Sequence, residues 1–286
     1  MRKIFLTFII IGAVYMNVFS QVTKYCRFEK DGEIHYGKEL SGKVYELKHA
    51  PWISYEMTGR NYDLEEVKLL YPSEPKVIAG LIKSYKQSWK DKTAPKTIRW
   101  FLKPPLAAGI PGSPIVLPAS LDEIKVEVEM VIVIGKQVKD ADEAEAGKAI
   151  FGYTLGCDIV GTTESYHKLN NEPPDPSETA LSLGLKACDG FEPYGPFIYK
   201  GVDWQNRKAV LKITNDSGTF VNYEDNTSNL MYKPEIIVSE LSKVMTLSPG
   251  DIISSGTGKS FIAKPGDEVY LSIEGLGEFT TKIEKN

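Results

Sequence analysis

Two glutamates, Glu127 and Glu129, stand two residues apart in the stretch 124–135, and a third carboxylate, Asp158, interrupts the apolar stretch 151–160. The first stretch is dominated by β-branched residues and ends at Gly135, a pattern that predicts a strand. Alternation along that strand puts Ile124, Val126, Val128, Met130, Ile132 and Ile134 on one face, and Glu127, Glu129, Val131 and Val133 on the other. The two carboxylates are then side by side, roughly 6–7 Å apart at Cα. If the first half of the strand is solvated, they are ordinary surface charges. If the apolar continuation of their face is buried and takes them with it, like charges leave water together, and a cation or a proton must compensate them. With Asp158 they would supply three hard oxygen donors, a set suited to Mg2+, Mn2+ or Ca2+ rather than to zinc. Three carboxylates around one divalent ion keep a net negative charge, so a nearby basic side chain would help to hold an anionic substrate.

The elements that must position these groups are mostly strands. Residues 22–71 alternate in short runs broken by Lys30-Asp31-Gly32 and Gly42, the pattern of a small β-rich leader ending at Pro72 and Pro75. Val77, Ile78, Leu81, Ile82, Tyr85 and Trp89 recur at helical spacing and predict an amphipathic helix over 76–90. A short helix is expected over 140–150, an irregular loop over the proline-rich 170–178, a hairpin over 208–223 and a helix over 234–245. Gly250 and Gly266 each open a further strand. The fold class is therefore α+β, mostly β, with residues 21–70 as a small N-terminal subdomain and 71–286 as the larger unit. The first 20 residues combine Arg2 and Lys3 with an apolar run and small residues near Ser20, the form of a signal peptide. An exported protein, periplasmic or secreted, with no membrane association after cleavage, is the expectation. With 34 basic and 38 acidic residues and no basic run, the chain does not read as a nucleic-acid binder. Cys26, Cys157 and Cys188 are an odd count without metal-finger spacing.

The order of segments resembles the fumarylacetoacetate hydrolase family. The stretches that carry the resemblance are Val67-Lys68-Leu69-Leu70-Tyr71-Pro72, Phe101-Leu102-Lys103-Pro104, Glu127-Val128-Glu129-Met130, Phe151-Gly152-Tyr153-Thr154, Lys186-Ala187-Cys188-Asp189, Gly195-Pro196, the run from Met245 to Asp251 and Ser255-Gly256-Thr257-Gly258. The resemblance implies a mixed β-sandwich roll, a homodimer, and a divalent metal, Mg2+ or else Mn2+ or Ca2+, held by Glu127, Glu129 and Asp158. It implies a substrate that is a small dicarbonyl or enol carboxylic acid. Lys186 matches the family's substrate lysine. Thr257, in the turn opened by Gly256, matches the residue that offers hydroxyl and backbone donors to the substrate acid.

Two departures bear on the reaction. Where the hydrolases carry a water-activating His and Glu, this chain aligns Ser88 and Asp91, and serine is no general base near neutral pH. After Asp158, where an Arg, an Asp and a Gln are common, it has Thr162, Thr163 and Ser165. Of the three histidines, His35, His49 and His167, only His167 follows the metal strand; it is near enough in sequence to reach the site, but a surface place is expected for it. Lys186, Ser88 and Asp91 are the candidate catalytic residues, with hydrolysis of a carbon–carbon bond as the expected reaction. Isomerisation or decarboxylation, which needs no activated water, is the alternative; a protein that binds metal and organic acid without turnover is another.

Overall fold

Turn chemistry builds the N-terminal strands of the molecule. Asp31 and Gly32 both adopt positive φ (53° and 83°), as do Ser41 and Gly42 (52° and 80°), so the two tight turns fold β1 (Thr23–Lys30), β2 (Glu33–Leu40) and β3 (Lys43–Leu47) into a meander. β4 (Met57–Asp63) extends it on one side, and the short β5 (Lys68–Leu69) pairs with β1. The computed structural model describes residues 22–89, 95–173 and 178–286; the expected leader, residues 1–20, and Asp91 lie outside the described residues.

Downstream come β6 (Ile78–Leu81), β7 (Trp100–Lys103), β8 (Ala108–Gly109), β9 (Ile115–Leu117), β10 (Ile124–Ile134), α1 (Glu143–Ala149) and β11 (Ile150–Gly161). α2 (Thr163–Asn170), α3 (Glu178–Gly184), β12 (Glu192–Pro193) and β13 (Phe197–Lys200) lead to the long hairpin of β14 (Lys208–Asn215) and β15 (Gly218–Asn226). The chain closes with α4 (Pro234–Val244), β16 (Ile252–Ser254), β17 (Phe261–Ala263), β18 (Glu268–Ile273) and β19 (Gly277–Lys285). The larger sheet runs β4-β3-β2-β1-β13-β11-β10-β16-β6-β7, so the N-terminal meander joins it through β1 and β13. A five-stranded sheet, β15-β14-β18-β19-β9, packs against it.

The central strand β10 is covered on both faces. Val126, Met130 and Ile132 belong to one buried cluster with Leu211, Val269 and Leu271 of the second sheet, which makes the fold a mostly β sandwich. Val131 and Val133 belong to another, with Tyr194, Ile198 and Ile252. The face that carries the glutamates is therefore an interior one, and the solvated reading of Glu129 does not hold.

Over the described part of 76–90, residues 76–89, the expected helix is not formed. Ile78 to Leu81 form a buried strand, β6, parallel to β16 and antiparallel to β7, followed by a left-handed Lys83 (φ 53°) and a 3-10 turn, Lys86–Ser88. Apolar residues three and four apart suit a helix face, but here Ile78 and Leu81 are buried by strand pairing and Tyr85 in the turn region. Gly80 shows how tight the pairing is: a Cβ there would stand 2.2 Å from the Phe101 ring. Two helices, α2 and α3, have no counterpart in the periodicity. α2 starts on a local signal, Thr162 accepting from the Ser165 amide at 3.2 Å. Among the described residues no helix is long and apolar enough to cross a membrane.

Candidate metal centre

Antiparallel register brings the three carboxylates together. Glu127 pairs directly with Asp158, and Glu129 with Gly156, across β10 and β11. Ligand oxygens of Glu127, Glu129 and Asp158 all lie within 4.8 Å of one another. Glu129 and Asp158 are each 1% exposed, whereas Glu127 faces a cavity.

Buried charge must be answered, and it is answered from distant segments. Lys103 at the end of β7 places its ammonium 2.5 Å from Asp158 Oδ1 and 2.6 Å from Glu192 Oε2, and donates to Phe191 O at 2.7 Å. Lys186, in the turn after α3, ion-pairs with Asp158 Oδ2 and lies 4.4 Å above the Phe101 ring. Ser254 donates to Glu192 Oε1. Burial pushes the Asp158 carboxyl up, but the two lysines outweigh it and hold the group below the usual carboxylate range. Burial, reinforced by the Asp158 charge, instead pushes Glu127 up to about 7 and raises Glu129 well above its ordinary value.

The fit to a divalent ion rests on one atom. Glu129 Oε2 accepts from the Gly256 amide at 2.6 Å, but Glu129 Oε1 is buried with no hydrogen-bond partner. A buried carboxylate oxygen without a donor is costly, and a cation shared with Glu127 and Asp158 satisfies it with the hard-oxygen chemistry that Mg2+, Mn2+ and Ca2+ prefer.

The cavity beside these groups has a volume of about 350 Å3, and its lining includes Ser88, Phe101, Glu127, Asp158, Lys186 and Thr257. The fold thus brings Lys186, Ser88 and Thr257 to one chamber with two of the three carboxylates, while the third, Glu129, sits behind it. Gly256 enters through its amide on Glu129. Its φ of 88° is a left-handed value, and its Cα approaches Ser84 so closely that a Cβ would lie 1.9 Å from Ser84 Oγ. A larger cavity of about 620 Å3 lies between residues 108–118 and Gly190, but its lining holds a single acidic side chain, Asp189, and no basic one.

Other expectations need revision. His167 is not at the surface: it is buried in α2 and does not line the cavity. Thr162 caps α2 and donates to Glu123 at 2.9 Å, and Ser165 donates to Asp122 at 2.5 Å. All three cysteines are free; Cys157 is fully buried and Cys188 half-buried. Lys103 and Glu192 have no role in the sequence reading. Lys103 lies in the Phe-Leu-Lys-Pro stretch, where a basic residue in an otherwise apolar strand was the available signal; Glu192, in a two-residue strand, offered none.

A family model for the fumarylacetoacetate hydrolase C-terminal region matches residues 76–284, and one for the N-terminal region of Rv2993c-like proteins matches residues 23–72. Protein Rv2993c of Mycobacterium tuberculosis is 30% identical over 260 residues, covering 88% of this chain and 91% of that protein. A 4-hydroxyphenylacetate degradation bifunctional isomerase/decarboxylase of Salmonella dublin is 34% identical over 199 residues, 67% of this chain but 42% of the relative. The crystal structure of a 2-hydroxyhepta-2,4-diene-1,7-dioate isomerase from Mycobacterium marinum superposes with a TM-score of 0.75 at 27% identity, over 92% of this chain and 99% of that one. Together with the strand register that gathers Glu127, Glu129 and Asp158, these matches place the chain in the fumarylacetoacetate hydrolase family.

Proposed function

We propose that this protein is a divalent-metal-dependent enzyme acting on a small dicarbonyl or enol carboxylic acid. The observation that carries the reading is the partnerless, buried Glu129 Oε1 within a three-carboxylate cluster that opens on a cavity through Glu127 and Asp158. A divalent ion bound there would supply Lewis-acid chemistry, stabilising negative charge as it develops on adjacent substrate oxygens. The chain's own groups do the rest. The Lys186 ammonium, supported by the Phe101 ring, neutralises a substrate carboxylate or enol oxygen. Thr257 offers a hydroxyl to the same acid. Phe101 and Leu81 form an apolar side to the chamber and limit water.

Among the described residues lining the cavity there is no imidazole, and Ser88 is no general base. We therefore favour isomerisation or decarboxylation, reactions that need no activated water. The isomerase/decarboxylase and isomerase relatives support the same choice. Carbon–carbon hydrolysis is the second reading, supported by Ser88 facing the cavity where the resemblance puts the hydrolases' base. Export and homodimer formation belong to this proposal too. The basic and apolar start of the sequence supports the first, and the family resemblance the second.

The test is turnover of acylpyruvates, oxaloacetate and dienoic enol acids with and without Mg2+ or Mn2+, with products identified. Metal-dependent conversion that disappears in Glu127→Ala is expected. Turnover that persists without metal would refute the assignment. Binding of Mg2+ and oxalate with no turnover of any substrate would mark a binding protein.

A further inference from the structure

One wall of the cavity is fastened from outside by a residue that touches neither the carboxylates nor the chamber. Asp225, near the end of β15, is 9% exposed. Its Oδ1 accepts from Gln87 Nε2 at 2.9 Å, from Asn229 Nδ2 at 2.7 Å and from the Asn226 amide at 2.8 Å, and its Oδ2 accepts from the Tyr223 hydroxyl at 2.6 Å. No Lys or Arg among the described residues pairs with it, so neutral donors alone hold this charge.

Those donors tie the turn that holds Gln87 to the 223–229 stretch, and a second turn packs against the same carboxylate. Gln87 sits in the Lys86–Ser88 turn, next to Ser88, which lines the cavity. Gly258 packs on the other side of the same carboxylate, so that a Cβ there would stand 2.4 Å from Asp225 Oδ2, 2.6 Å from the Tyr223 hydroxyl and 3.3 Å from Gln87 Cδ. Gly258 follows Thr257. The turn is pinned to the same segment by further contacts: Met231 N donates to Ser84 O at 2.9 Å, and Lys86 Nζ to Ser228 O at 3.1 Å.

We propose that Asp225 is a positioning residue that fixes the Ser88 turn against the Gly256–Thr257–Gly258 turn, so that Ser88 and Thr257 meet the substrate acid at a set separation. This role rests on the acid-binding reading above. A carboxylate suits it because its two oxygens accept four bonds, from Gln87 and from the 223–229 stretch, while leaving one side for Gly258 to pack on.

The experiment uses the full chain with Gln87→Met, which keeps the exposed stem and removes the amide, and with Gln87→Lys, which puts a different donor opposite Asp225. Mg2+ affinity, oxalate affinity in saturating Mg2+ and amide exchange across residues 84–89 are measured. In Gln87→Met, Mg2+ affinity stays within about twofold, oxalate binding weakens about tenfold, the worth of one fixed contact to a charged group, and exchange at 84–89 rises. Gln87→Lys, which still donates to Asp225, keeps more of the oxalate affinity than Gln87→Met. Unchanged oxalate affinity and exchange in Gln87→Met would overturn the role, as would parallel losses of Mg2+ and oxalate affinity, which mark a general structural effect. If the unaltered chain binds Mg2+ but no oxalate, the acid-binding reading itself fails and this role falls with it.

Discussion

The Lys103 ammonium lies 2.5 Å from Asp158 Oδ1, with the lysine side chain 0% and the aspartate 1% exposed. Burial works against a charged lysine, but Asp158 and Glu192 overcome it and raise the group above its ordinary basicity. Removing one partner of such a pair leaves uncompensated charge in the interior, at a cost of roughly 3–5 kcal/mol. Lys103→Met is expected to lose about that much stability in urea unfolding. Part of the loss should return on adding Mg2+, because a cation bound by the folded chain alone restores counter-charge beside Asp158. No recovery with Mg2+ would argue against a metal at these carboxylates.

Glu129→Gln separates the structural and ligand roles of that side chain. The amide oxygen still accepts from the Gly256 N–H, while one buried negative charge is gone. The metal-free chain should melt at the same temperature or higher. Mg2+ affinity by calorimetry should fall by on the order of 100-fold or more, since a ligand is lost rather than a supporting contact.

Glu127 sets a pH dependence with a definite sign. Burial, with Asp158 beside it, moves its carboxyl from 4.5 to about 7 on folding. Between those values the folded chain binds more protons than the unfolded one, so this group makes stability fall as pH rises through the window and adds no further change above about 7. A divalent ion takes the proton's place. Its apparent affinity should therefore rise with pH as Glu127 ionises, and melting curves with and without Mg2+ should diverge over that window.

Gly256→Ala tests the left-handed turn. A side chain at φ 88° is strained, and its Cβ would meet Ser84 Oγ at 1.9 Å. A loss of roughly 1–3 kcal/mol in unfolding free energy is expected from the backbone conformation, with more from the contact. Adding Ser84→Ala should recover the contact part only. Full recovery would show that backbone strain is not the cause.

Much of the site was legible because its logic is local. Two-residue alternation put Glu127 and Glu129 on one face of β10, and an acidic residue inside an apolar strand singled out Asp158. The hairpin near 208–223 and α4 were equally plain from alternation and helical period. Turn residues did the same for the N-terminal meander, since Asp-Gly and Ser-Gly select paired positive φ values.

What the sequence determined by itself is the chemistry: which strand carries the carboxylates, which face they share, and which cations such oxygens suit. Tertiary structure decided where that chemistry takes place. Register across β10 and β11 set Glu127 against Asp158, and the interior placement of the glutamate face came from Tyr194, Ile198 and Ile252, all remote in the chain. Counter-charges arrived from Lys186, 28 residues beyond Asp158, and from Lys103, itself held by Glu192 89 residues away, and the outer wall is tied to Asp225, 138 residues beyond Gln87. The stretch 76–90 shows the same rule from the opposite side, its helical spacing yielding to strand pairing with β16 and β7. Periodicity records which face of a segment is apolar; which distant segment covers it is settled only when the chain closes on itself.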